Sequence, residues 1–156
     1  PARRPGSAPP QPVRMTRVDF HFNAPDKIAY GCRLVRKAYR AKHPVLVWCD
    51  DEARLDAFDR LLWSDPPTEF VPHVRAGDPL AAQTPILLAH DAVDTDAHDV
   101  LVNLGRITPP MFARFERLIE IVGTDEDDRA AARERWRFYR DRGYPMTRHD
   151  VGGAPG

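Results

Sequence analysis

Glycine-rich phosphate loops, cysteine clusters, long apolar runs and an excess of either charge are all missing from this chain. Among its 156 residues the cysteines are Cys32 and Cys49 alone, with no CxxC pair. A disulfide framework is therefore excluded, and both are expected to be reduced thiols of a cytoplasmic protein with no signal peptide. No apolar run approaches the roughly 18 residues of a membrane span. Twenty-three basic residues balance 23 acidic ones, which argues against bulk electrostatic coating of nucleic acid. Any recognition of an anion must then be local. No Walker sequence occurs, and the turn Asn23-Ala24-Pro25-Asp26-Lys27 after the first apolar alternation has no glycine. A backbone nest for pyrophosphate cannot form there, and no cofactor is expected.

What is present suffices for one domain with a real core. Residues 1–14 hold five prolines and three arginines and read as a disordered tail or an extension ahead of Met15. The domain is expected over 15–148, with a flexible tail over 149–156. Arg17 to Phe22 alternates like a strand. Pro25 to Lys42 is helical, with Ile28, Cys32, Val35 and Tyr39 at helix spacing and Pro25 in the first turn. Val45 to Cys49 is a short apolar run typical of a strand buried on both faces. Asp51 to Trp63 is a second helix with Leu55, Phe58, Leu61 and Leu62 inward. Strands follow at Ile86–Ala89, Val100–Leu104 and Leu118–Val122, with a short helix from Pro110 through Phe115. Strands alternating with helices predict an α/β, doubly wound, mostly parallel sheet.

The last helix, Thr124 to Arg142, is the most informative segment. Thr124 is suited to the N-cap, Asp125 to Asp128 complement the positive helix end, and Gly143 can take a left-handed stop. Projected at about 100° per residue, Arg129, Arg133, Trp136, Arg137 and Arg140 share one stripe. Ala131, Ala132, Phe138 and Tyr139 lie opposite and are expected to face the core. Arg135 and Arg142 lie nearer the apolar face and are expected to snorkel or pair internally. From Arg129 to Arg148 there are seven arginines against two acids, Glu134 and Asp141. A solvated face is the bland explanation of a charge run, but the scarcity of acids and the tryptophan within the stripe favour an anionic partner.

Other constellations are weaker. The run His90 to Asp99 could hold a metal but lacks the glycine and distal glutamate of a calcium loop, so a polar connection explains it. Asp50, Asp51 and Glu52 could do acid/base work, yet acids are expected at a helix start. His21, His43 and His73 stand alone. Trp63 with Phe70, Val71 and Pro72 surrounds a proline-rich loop, and reads either as core or as an apolar patch awaiting a partner.

At these features the chain resembles the chi subunit of the bacterial DNA polymerase III holoenzyme, from about Thr16 to Tyr144. The resemblance is carried by Ala132-Arg133-Glu134-Arg135-Trp136-Arg137-Phe138-Tyr139-Arg140, by Leu62-Trp63 followed by Glu69-Phe70-Val71-Pro72-His73, and by Cys49-Asp50-Asp51-Glu52 after a strand. It implies a Rossmann-like sheet that binds no nucleotide, and a non-catalytic bridge in DNA replication. One surface would capture the acidic C-terminal tail of single-stranded-DNA-binding protein, aspartates ending in Ile-Pro-Phe, through Val122, Arg129, Arg133, Trp136 and Arg137. The opposite surface, Trp63, Phe70, Val71 and Pro72, would hold the psi subunit of the clamp loader where one exists, or a repair helicase. Trp136 stands where the family often has tyrosine, and Arg137 where lysine is common. Contact with nucleic acid would be mainly indirect, at replication forks. An aromatic anchor of roughly 2 kcal/mol and charge-assisted bonds of about 1.5–3 kcal/mol each support micromolar affinity after ordering costs. Two rivals compete with this reading. A metal-dependent hydrolase would show metal-dependent stabilisation. A direct nucleic-acid binder would show steep salt dependence on an oligonucleotide.

Overall fold

The computed structural model describes residues 15–64, 70–93 and 98–152. Its sheet has seven strands in the order β3-β4-β2-β5-β6-β1-β7, every pair parallel. The strands are β1 Arg17–Ala24, β2 Val45–Trp48, β3 His73–Arg75, β4 Ile86–Ala89, β5 Val100–Asn103, β6 Arg117–Gly123 and β7 Met146–Asp150. Helices α1 Lys27–Arg40, α2 Glu52–Ser64 and α3 Glu126–Asp141 cover it. The doubly wound arrangement read from the sequence is therefore present. Among the described residues no helix is long and apolar enough to cross a membrane.

Strand alternation divides the core into two layers. Val45, Val47 and Cys49 of β2 and its end join Ile119 and Ile121 of β6 under α1 and α2, with Cys32, Val35, Leu55, Phe58 and Leu62. Leu46, Trp48, Leu118 and Val122 point the other way, toward Ala132 and Tyr139 of α3 and the aromatic turn at Phe112 and Phe115. Both faces of the sheet are thus occupied, as a parallel sheet demands. Gly31 lets α1 approach closely, since a Cβ there would stand 3.1 Å from Leu104 and 3.3 Å from Phe58.

Several boundaries differ from expectation. The α1 N-cap is Asp26, whose side chain accepts from Ala29 N, so Pro25 lies just outside the helix. The α3 N-cap is Asp125 rather than Thr124, accepting from Asp128 N. The segment at Pro110–Phe115 holds only a 3-10 turn at Phe112–Arg114. Strand β3 and strand β7 carry no long apolar run, and the boundary expected at 148 falls inside β7. Gly143 does adopt the left-handed stop, at φ +80. The expected tail at 1–14 and the proline-rich residues Pro66 and Pro67, with Glu69, lie outside the described residues.

Candidate functional site

Strand β1 ends irregularly, and the irregularity shapes one end of a groove. Asn23 takes a left-handed φ of 65, a conformation asparagine tolerates better than most residues, and the β1–β6 register shifts between His21 and Ala24. This break turns the Asn23 amide toward α3, where its Oδ1 accepts from Arg129 Nη2 at 3.1 Å. Its Nδ2 donates to Asp150 Oδ2 of β7 at 3.2 Å. One side chain thereby links three elements.

Between α3 and the strands lies an open groove of about 410 Å³. All five sequence-predicted residues, Val122, Arg129, Arg133, Trp136 and Arg137, line it. Its floor is apolar: Phe20 packs edge-on against Trp136 with ring centroids 5.2 Å apart, beside buried Val122 and Ala132. Trp136 is half-buried, so the indole is a fixed wall rather than a free paddle. The rim is basic, with Arg140 and Arg148 joining the three arginines already named, and among the described residues no Asp or Glu lines the groove. Carboxylates do approach from outside it. Arg133 pairs with Glu126 at 2.6 Å, Arg140 with Asp141 at 3.1 Å, and Arg137 with Glu134 one turn away. Such exposed pairs are worth about 0–1 kcal/mol and exchange readily. An apolar trench with an arginine rim can take a ligand that combines carboxylates with a large apolar side chain.

Buried polar chemistry holds α3 in place beneath the groove. Glu120 is 0% exposed and accepts from Arg135 Nε at 3.0 Å, Asn103 Nδ2 at 2.9 Å and Tyr139 OH at 2.6 Å. Burial and the Glu120 carboxylate together keep the Tyr139 phenol protonated, far above its ordinary range. Arg135 thus pairs internally, in line with its place on the helix. Arg142 is exposed, with its guanidinium 3.7 Å over the Phe138 ring.

The carboxyl ends of the strands, where open α/β sheets usually bind ligands, are filled by the chain itself. Asp128 accepts from Gly123 N at 2.6 Å and meets Lys27 Nζ at 3.0 Å and Arg106 Nε at 3.2 Å. Burial opposes its ionisation, but Lys27, the Gly123 N–H and Arg106 overcome that and hold its pKa below the ordinary value. A backbone N–H, a lysine and an arginine around an anion is how a phosphate is often held. Here a carboxylate of α3 occupies the position. Its role in the sequence reading, as a helix-end charge, missed this burial.

Trp63 and Phe70 form a second feature. They are 57% and 59% exposed, with ring centroids 5.2 Å apart. Trp63 also packs at a tilt on His73, at 4.8 Å between centroids. His73 is fixed from below by Val71 O at 2.7 Å and Asp59 Oδ1 at 2.8 Å. Phe70 is therefore not core. Val71 is: it is 0% exposed and cannot touch a partner, because it faces the α1–α2 layer. Pro72 is half-buried. Strand β3 beside this pair and strand β7 beside the groove are opposite edges of the sheet, about 29 Å apart at ordinary strand spacing.

The acids of the Asp50–Glu52 cluster have structural partners. Asp51 Oδ1 caps α2 by accepting from Ala53 N at 3.0 Å, and Asp50 Oδ1 accepts from Arg106 N at 3.0 Å. His90 Nε2 lies 3.1 Å from Glu52 and 3.3 Å from Asp91 in an exposed cluster. Among the described residues no three His, Cys, Asp or Glu side chains are placed to hold a metal ion. Residues 94–97 of the His90–Asp99 run lie outside the described residues.

Comparison with known proteins supplies a family. A family model described as DNA polymerase III chi subunit, HolC, matches residues 15–147. A DNA polymerase III subunit chi of Pseudomonas aeruginosa is 35% identical over 139 residues, covering 86% of this chain and 96% of that protein. The Haemophilus influenzae subunit chi is 31% identical, over 78% of this chain and 85% of its own length. That of Escherichia coli is 27% identical, over 74% and 80% respectively.

Proposed function

The chain belongs to the DNA polymerase III chi subunit family, and from that premise we propose that it is a non-catalytic bridge of the replicative holoenzyme. In this reading the groove captures the acidic C-terminal tail of single-stranded-DNA-binding protein. The observation that carries it is the pairing of the Phe20–Trp136–Val122 floor with a five-arginine rim. The terminal phenylalanine of such a tail enters the apolar floor, while its carboxylates exchange with Glu126, Glu134 and Asp141 for the rim guanidiniums. Partner exchange of this kind limits the net gain per contact, which suits a handoff that must release.

Trp63 and Phe70 form the other half of the bridge, for psi of the clamp loader or a helicase in its place. Two exposed, mutually packed aromatics on a buried histidine make a preorganised anchor. Their place near the far edge of the sheet lets both partners bind at once. Direct stacking of single-stranded bases fits the groove less well, because Trp136 is edge-packed on Phe20 rather than presented as a platform.

Calorimetric titration with a tail peptide ending in Ile-Pro-Phe tests the reading. Micromolar binding is expected, with a loss of at least tenfold, about 1.4 kcal/mol, when the last phenylalanine is deleted. Equal affinity for the two peptides would overturn it.

A further inference from the structure

The two walls of the groove are unequal. Arg133, Arg137 and Arg140 of α3 are each paired with an acid of their own helix. Arg129 donates to the Asn23 amide oxygen. Arg148 comes instead from β7 and, among the described residues, has no carboxylate or carbonyl partner. Its guanidinium lies 5.2 Å over the Phe22 ring.

Register explains where it points. Phe20 of β1 and Arg148 of β7 are directly paired, and paired residues share a face of the sheet. Phe20 faces α3, where Trp136 packs on it. Arg148 therefore enters the groove from the side away from α3. Asp150, on the same face of β7, is already engaged by Asn23 Nδ2 at 3.2 Å.

We propose that Arg148 is a specificity-determining residue of the groove, receiving a carboxylate of the bound acidic tail opposite the α3 arginines. This rests on the tail-binding reading above. A guanidinium held by an aromatic ring and free of internal acids gives up no ion pair on binding, and loses less freedom than an unsupported side chain. Arg133, Arg137 and Arg140 must first release Glu126, Glu134 and Asp141, and Arg129 must give up the Asn23 amide. Arg148 thus makes the larger net contribution of the rim.

The test uses the full chain and the same tail peptide, titrated at two salt concentrations against Arg148→Ala, Arg148→Gln and Arg148→Lys. Arg148→Ala and Arg148→Gln should each bind about tenfold more weakly, with a shallower salt dependence. Arg148→Lys should fall between them and the parent, since it keeps charge but loses the planar fork. Melting temperatures should match the parent, because the side chain is exposed on an edge strand. Parent-like affinity in both Arg148→Ala and Arg148→Gln would overturn the assignment of Arg148. Failure of the parent itself to bind the peptide would instead overturn the tail-binding reading on which it rests.

Discussion

Glu120→Ala is the substitution with the best-defined cost in this domain. The carboxylate is fully buried and serves three donors, from Arg135, Asn103 and Tyr139. Its removal leaves the Arg135 guanidinium, itself 3% exposed, without a counter-charge. Breaking a buried pair by deleting one partner costs about 3–5 kcal/mol, because the survivor keeps its desolvation penalty and loses its attraction. The Asn103 and Tyr139 donors lose an acceptor too, but Asn103 Nδ2 retains Ile107 O at 2.9 Å. A net loss of about 4 kcal/mol follows, equivalent to roughly 12 °C in melting temperature for a domain of this size. Urea and thermal unfolding followed by circular dichroism would measure it. The double variant Glu120→Leu with Arg135→Met should recover much of the loss, because it deletes both charges and fills the space with apolar atoms. A loss under about 1 kcal/mol for Glu120→Ala, or no recovery in the double variant, would refute the view that this pair anchors α3.

Three other outcomes are expected. Arg133→Ala should weaken tail-peptide binding several-fold without lowering the melting temperature, and Glu126→Gln should strengthen it, because Glu126 is the internal competitor at 2.6 Å; both effects should shrink at high salt in a titration series. Phe70→Ala should abolish capture of psi, or of the helicase that replaces it, and spare the tail peptide, while Trp136→Ala does the reverse; coupling above about 0.5 kcal/mol in the double-mutant cycle would contradict independent surfaces. His21 should make the domain acid-sensitive: burial, with His149 and Arg117 adding to it and Asp19 opposing, lowers its pKa from 6.5 to about 4. Its stabilising contribution is complete above pH 6.5 and is lost as pH falls toward about 4. At about 1.4 kcal/mol per unit, discounted for partial solvent contact, that is roughly 2 kcal/mol. His21→Gln should flatten denaturation midpoints across that window, and an unchanged slope would exclude His21 as the cause.

How legible the site was depended on the range of the interaction that makes each part. The α3 wall could be read because helix periodicity is local: Arg129, Arg133, Trp136 and Arg137 share a stripe whatever they pack on, and all four line the groove. The β7 wall could not, because Arg148 is placed by pairing with Phe20, more than a hundred residues earlier in the chain. Strand β7 also reads Met-Thr-Arg-His-Asp, with no apolar alternation, since it is an edge strand with four of its five residues exposed. Asp128 was legible only in part, for the same reason: it is an acid of the first turn of α3, as expected, but its burial was not visible. Its sequence neighbours make it a helix-end acid, whereas Lys27, Arg106 and Gly123 make it the buried plug of the strand ends. Phe70 and Val71 show a finer failure. The resemblance grouped them on one surface, but adjacent residues in extended backbone point to opposite sides, and of the two only Phe70 reaches solvent. Applying that alternation to Phe70-Val71-Pro72-His73 would have assigned Val71 and His73 inward together, as both are found. The outward residue Phe70 then needs a second exposed aromatic to make an anchor, and Trp63 at the end of α2 supplies it. An exposed aromatic pair built from two separate segments is visible to periodicity only in halves, and the direct packing of Trp63 on Phe70, with His73 beneath Trp63, joins them.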